Sequence, residues 1–160
     1  MATRCSICDI ITSPTNDDVV LLKTHGWRVI LMENQGVLGA MYITTERHYQ
    51  TLGDLSDRQW LGLRDLVREL EGAVSRAFHP VYFNFACDMN DAARDGEPAH
   101  VHFKLRPRYA HAVQFEGEVF EDQGFGSKKI VPHQVEKPTL RAIRKVIVSK
   151  LGLQIERDVS

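Results

Sequence analysis

The 160 residues are 43% hydrophobic and 26% charged, enough for one domain of ordinary size with a real core and a soluble surface. Twenty Lys+Arg against twenty-one Asp+Glu leave a net charge of −1, which argues against a nucleic-acid coat protein or an anion-steering field while still allowing a local basic patch. No apolar run approaches the ~20 residues of a membrane helix, Met1-Ala2-Thr3-Arg4-Cys5 has no apolar signal core, and three cysteines do not make a disulfide scaffold, so the chain reads as a cytoplasmic protein.

In chain order, Val19–Lys23 and Trp27–Met32 are expected to be strands joined through Thr24-His25-Gly26 as an antiparallel hairpin. Asn34–Gly39 is rich in turn residues, and Ala40–Thr44 reads as the next strand. Ser56-Asp57-Arg58-Gln59 fits a capping box. Trp60, Leu63, Val67, Leu70, Val74 and Phe78 follow at helical spacing, and Pro80 sets the limit of that helix. Val81–Cys87 is aromatic and apolar enough for a central strand, Asp88–Ala99 for a polar loop, and His100–Arg106 for another strand. A last helix is expected over Thr139–Leu151, with Leu140, Ile143, Ile147 and Leu151 as its buried stripe and Gly152 as its stop. Strands, one long helix, strands and a terminal helix imply an α+β fold on a mainly antiparallel sheet. No repeat or linker divides residues 1–160, which read as a single domain.

The stretch His100-Val101-His102-Phe103-Lys104-Leu105 carries the chemistry. On a strand Val101, Phe103 and Leu105 turn to the core, while His100, His102 and Lys104 share the other face. Same-face neighbours lie ~6.6 Å apart at Cα, a spacing that suits an extended phosphate-bearing ligand. His-X-His by itself is as compatible with a half-exposed strand.

Together with Arg106-Pro107-Arg108-Tyr109, the stretch resembles the signature of the histidine triad (HIT) family, His-φ-His-φ-His-φ-φ with φ apolar, with Lys104 in place of the third His. Cys5-Ser6-Ile7-Cys8, Thr45-Glu46-Arg47-His48, the long helix, Phe83-Asn84-Phe85-Ala86, Gln114-Phe115-Glu116-Gly117 and Phe120-Glu121-Asp122 resemble family landmarks in the family's order. The likeness covers roughly residues 5–126 and leaves 127–160 as a C-terminal extension ending in a helix. It implies a homodimer that transfers or hydrolyses nucleotidyl groups at the α-phosphate of nucleoside phosphate derivatives, such as dinucleoside polyphosphates or nucleoside phosphoramidates. His102 is then the nucleophile, forming a nucleotidyl-histidine, with a backbone carbonyl holding its tautomer. Lys104 keeps a cation beside His102, which disfavours imidazolium and offers a phosphate contact. A charged lysine accepts no proton, so any relay through this position is altered. Glu97, in place of the phosphate-contacting loop of many members, would repel phosphate.

Cys5-X-X-Cys8 alone is compatible with a metal site, with two buried cysteines or with accident; a redox motif lacks its βαβ setting. Resemblance to zinc-binding relatives, including galactose-phosphate uridylyltransferases, matches Cys5, Cys8, His48 and His100 to a structural Zn²⁺ set. Asn34, Asn84 and Asn90 are the polar groups nearest the family's ribose and phosphate positions, with Asn90 favoured, and Arg106 and Arg108 are candidates to neutralise phosphate. The site expected from sequence is therefore His102, His100 and Lys104 for chemistry, Asn90, Arg106 and Asn34 for substrate, and a nucleotide as partner. Neither a membrane nor a nucleic acid is expected. The rival reading is a nucleotide-binding protein that kept the fold and lost turnover at Lys104.

Overall fold

A computed structural model describes residues 4–152. The readings of Met1–Thr3 and of the last residues of the C-terminal extension, 153–160, lie outside them. A short helix, α1 (Ser6–Thr12), and a 3-10 turn lead into β1 (Val20–Thr24), β2 (Trp27–Leu31) and β3 (Met41–Thr45). Helix α2 (Asp57–Phe78) follows, then β4 (Tyr82–Ala86), α3 (Asn90–Asp95), β5 (His102–Arg108), the hairpin β6 (Val113–Phe115) and β7 (Glu118–Phe120), and α4 (Lys137–Ser149). Strands β1–β5 form one antiparallel sheet in the order β1-β2-β3-β5-β4. This is the α+β architecture expected from sequence. Among the described residues no helix is long and apolar enough to cross a membrane.

The β1–β2 hairpin turns on His25 and Gly26, both at positive φ (50° and 75°), the backbone that matches the twist of a two-residue hairpin. Ser56 caps α2 as predicted: its hydroxyl accepts from the Gln59 N–H, and the Gln59 side chain returns to the Ser56 N–H. The helix ends at Phe78, where His79 takes the left-handed conformation ahead of Pro80. Leu63, Leu66, Leu70, Ala73, Val74 and Phe78 are its buried stripe, whereas Trp60 at its first turn is 40% exposed. The stripe packs on Trp27, Val29, Ile43, Phe103 and Leu105, which form the helix-covered face of the sheet. Side chains alternate, so Ile30, Tyr42, His102 and Lys104 emerge on the opposite face.

Four sequence expectations are corrected. The aromatic strand β4 is not central but an edge, paired only with β5. Its apolar character misled because Tyr82 (65%) and Phe85 (41%) stay exposed along that edge. The polar loop after it contains α3, ended by Gly96 at positive φ. The motif strand begins at His102 instead of His100 and runs through Pro107. Pro107 lies beyond the last β3 partner, Leu105, and is paired on one side by Phe83 of the edge strand β4, the setting in which a strand tolerates proline. The last helix starts two residues early and stops at Ser149, leaving Leu151 beyond it.

The chain after β7 folds back over the turn that follows β2. His133 N–H donates to Asn34 Oδ1 (3.0 Å), Gln35 N–H to the His133 carbonyl (2.8 Å), and Asn34 and Gln134 form an isolated bridge. Gly36 permits this approach, since a Cβ there would lie 2.0 Å from the Val131 carbonyl oxygen. Arg108, a sequence candidate for phosphate, is buried instead. Its guanidinium makes a two-point ion pair with Asp122 (2.7 and 3.0 Å) and donates to the Gly124 and Ser127 carbonyls, pinning this loop to the end of β5.

Candidate functional site

Register places the candidate nucleophile. Thr44 pairs with His102 and Tyr42 with Lys104, so β3 and β5 set these four side chains together on the face that α2 leaves uncovered. His102 Nδ1–H donates to the His100 carbonyl (2.9 Å), which fixes the tautomer and leaves Nε2 with a free lone pair. Burial pulls the His102 pKa below its ordinary value, and the nearby Lys104 cation pulls the same way, against the His100 carbonyl. The imidazole is therefore held neutral, as a nitrogen nucleophile requires. Tyr42 meets the imidazole edge-on, ring centres 5.9 Å apart.

Lys104 faces the same side, but its ammonium is engaged. Asp88, just beyond β4, lies 3.6 Å from Nζ, and only 12% of the lysine side chain is exposed. The carboxylate balances the cation that the sequence had put beside His102 without a partner.

His100 is drawn away from its two companions. It lies just ahead of the strand, 2% exposed, where Nε2–H donates to the Thr45 carbonyl (2.9 Å) and Nδ1 turns to the cysteines. Its Nδ1 is 3.5 Å from Cys5 Sγ and 3.4 Å from Cys8 Sγ, and His48 Nδ1 is 3.3 Å from Cys8 Sγ. The four ligand atoms lie within 4.8 Å of one another. A tetrahedral zinc with Zn–S near ~2.3 Å and Zn–N near ~2.05 Å has S···N edges of about 3.6 Å, so this spacing fits that ion. Donor chemistry agrees. Burial and the neighbouring Cys5 thiol push Cys8 up to about 11, a cost that a cation between the sulfurs would reverse. The bond to Thr45 leaves His100 Nδ1 as the acceptor nitrogen, as a metal ligand must be. All four residues matched from sequence are thus brought together, from α1, the β3–α2 connection and the start of β5.

A cavity of about 220 Å³ opens beside this cluster. Ile30, Tyr42, His102 and Lys104 of the sheet form its floor, and Ile7 and Ile10 of α1 and Met89, Ala92 and Pro98 at and after α3 line it with apolar side chains. Carboxylates also reach it, but each has a partner. Asp91 and Asp95 flank Arg94, and Glu97 accepts the Ser6 N–H at the start of α1 (2.8 Å). Glu97 therefore ties the loop before β5 to α1 while keeping its negative charge at the cavity.

The expected substrate residues fall elsewhere. Asn90 is exposed at the start of α3 and does not line the cavity. Asn34 does not line it either, and its Oδ1 accepts from Gly36 and His133 N–H groups. Asn84 is exposed on the edge strand, opposite Arg106. Arg106 shares the His102 face, half-buried and without an ion-pair partner among the described residues, one strand position beyond the cavity. Sequence reasoning missed α1 as a cavity wall and missed Tyr42. The signal for α1 was present, since Ile7, Ile10 and Ile11 follow Cys5 at helical spacing. Tyr42 was legible as a surface-facing residue of its strand once the hairpin register was assigned.

No family model and no curated protein sequence matches the chain. Solved structures do. A hypothetical histidine triad nucleotide-binding protein from Sulfolobus tokodaii is 17% identical over 91% of each chain, with TM-score 0.65. A Zn-bound histidine triad family protein from Mycobacterium smegmatis is 17% identical over 91% of this chain and 94% of its own, with TM-score 0.61. The diadenosine triphosphate hydrolase of Plasmodium falciparum, in complex with cyclomarin A, is 17% identical over 83% of this chain and 76% of its own, with TM-score 0.57. Together with the sheet order and the His102 strand, these likenesses give the chain the fold of the histidine triad proteins.

Proposed function

We propose that the protein is a histidine triad enzyme that transfers or hydrolyses nucleotidyl groups at the α-phosphate of nucleoside phosphate derivatives. The observation that carries this reading is His102, a neutral imidazole with Nδ1–H committed to the His100 carbonyl and Nε2 free beside an apolar cavity. Nε2 attacks the α-phosphorus, the bond to the leaving group breaks, and the leaving group takes a proton from solvent water. Water then attacks the nucleotidyl-histidine and releases the nucleoside monophosphate. The apolar side chains from α1, β2 and α3 take the nucleoside. Arg106, without an ion-pair partner among the described residues, balances the phosphoryl charge, together with Lys104 where it is released from Asp88. The chemical test is release of AMP from adenosine 5′-phosphoramidate. Catalytic release supports the reading; AMP binding without turnover supports a nucleotide-binding protein instead, for which the Lys104–Asp88 pair in place of a third imidazole is the favouring observation.

Cys5, Cys8, His48 and His100 are proposed to hold one structural Zn²⁺. Four protein ligands would leave such an ion no open position for chemistry. Held by Cys5, Cys8, His48 and His100, it would tie α1, one wall of the cavity, to the start of the His102 strand.

The protein is further proposed to act as a homodimer through the β4 edge, where Val81 (45%), Tyr82 (65%) and Phe85 (41%) are exposed along the edge strand. Sedimentation should give twice the chain mass, and Phe85→Lys should shift it to one chain. A wild-type monomer at tens of micromolar would contradict this.

A further inference from the structure

Tyr42 has an unexplained hydroxyl. Its ring needs no hydroxyl for what it does in the sheet: phenylalanine would make the same edge contact with His102. The side chain stands at the cavity floor, directly across from Lys104 and diagonal to His102. Its oxygen has no hydrogen-bond partner among the described residues, whereas the neighbouring Thr44 hydroxyl is committed to backbone carbonyls. Arg106 on β5 and Asp91 on α3 are the charges that act on the phenol. Burial is the largest influence and raises its pKa, so the group keeps its proton and donates. Lys104, the cation nearest to it in register, is already paired with Asp88. A neutral donor thus stands on the same floor as the nucleophile, on a side chain that lines the cavity, stays 37% exposed and is not spent on the described residues.

We infer that Tyr42 is a catalytic residue whose hydroxyl donates a hydrogen bond to a non-bridging oxygen of the α-phosphoryl group as His102 attacks. The inference rests on the nucleotidyl-transfer reading and adds a residue that the triad motif does not contain. The phenol neither gains nor loses a proton in the step. It stabilises charge that grows on the phosphoryl oxygen between ground and transition state, so its effect falls on the rate more than on binding.

The test is single-turnover adenylylation with adenosine 5′-phosphoramidate, comparing wild type, Tyr42→Phe and the two α-phosphorothioate diastereomers of the probe. Tyr42→Phe keeps the ring against His102 and should slow adduct formation about 10- to 100-fold, the range of one hydrogen bond to a charged group. Adenosine, which lacks the phosphoryl group, should bind both proteins equally. One thio diastereomer should slow the wild type and lose that extra penalty in Tyr42→Phe, a signature that a packing role would not produce. Adduct formation by Tyr42→Phe at the wild-type rate would overturn the inference and leave the nucleotidyl-transfer reading standing. A wild type that forms no adduct overturns both.

Discussion

His102→Ala should reduce turnover of adenosine 5′-phosphoramidate by at least about a thousandfold, because removing a nucleophile removes the covalent route entirely. The fold should survive. His102 is half-buried, its side chain makes one hydrogen bond to the His100 carbonyl, and the core face of β5 is built by Phe103 and Leu105. The expected result is therefore a protein with near wild-type thermal stability and AMP affinity, but no detectable catalysis. Residual turnover within tenfold of wild type would show that another group attacks the phosphorus.

The second large effect is expected from the metal cluster. Protein purified without chelator should carry about one equivalent of zinc by elemental analysis, and Cys8→Ala should carry almost none. Loss of the ion leaves two thiols and two imidazoles crowded within 4.8 Å, joined only by weak sulfur–nitrogen hydrogen bonds. Structural zinc contributes directly to folding, so chelation should lower Tm by about 10 °C, corresponding to roughly 3–5 kcal/mol in a domain of this size. Turnover should fall as well, through one short path. His100 offers its ring to the cluster and its carbonyl to His102 Nδ1–H, so a displaced His100 no longer orients the nucleophile. Metal-free wild-type protein with unchanged Tm after chelator treatment would remove this part of the account.

Much of this arrangement was legible because local signals agreed with tertiary structure. Alternation along Val101–Leu105 separated the core face from the functional face, and the Ser56 capping box marked the start of the long helix. The four residues of the candidate metal site became readable together only through resemblance, since positions 5, 8, 48 and 100 share no local pattern. The rest depended on non-local facts. An aromatic strand reads the same at an edge as at the centre of a sheet; only the strand order made β4 an edge. Arg108 looked like a free cation until Asp122, fourteen residues on, neutralised it. Asn34 looked like a ligand group until the returning chain at His133 took its side-chain oxygen. Lys104 was read without Asp88, whose position depends on where the chain leaves β4. Tyr42 gained its meaning only from register, which set it opposite Lys104 and against His102.

The central claim is that His102 Nε2 becomes covalently nucleotidylated. Rapid mixing with adenosine 5′-phosphoramidate under near-neutral quench, followed by intact-mass measurement and peptide mapping, tests it most directly. The account predicts a transient species heavier by one adenylyl group, located on the peptide containing His102 and absent from His102→Ala. AMP release with no such species, or an adenylyl group on any other residue, would contradict it.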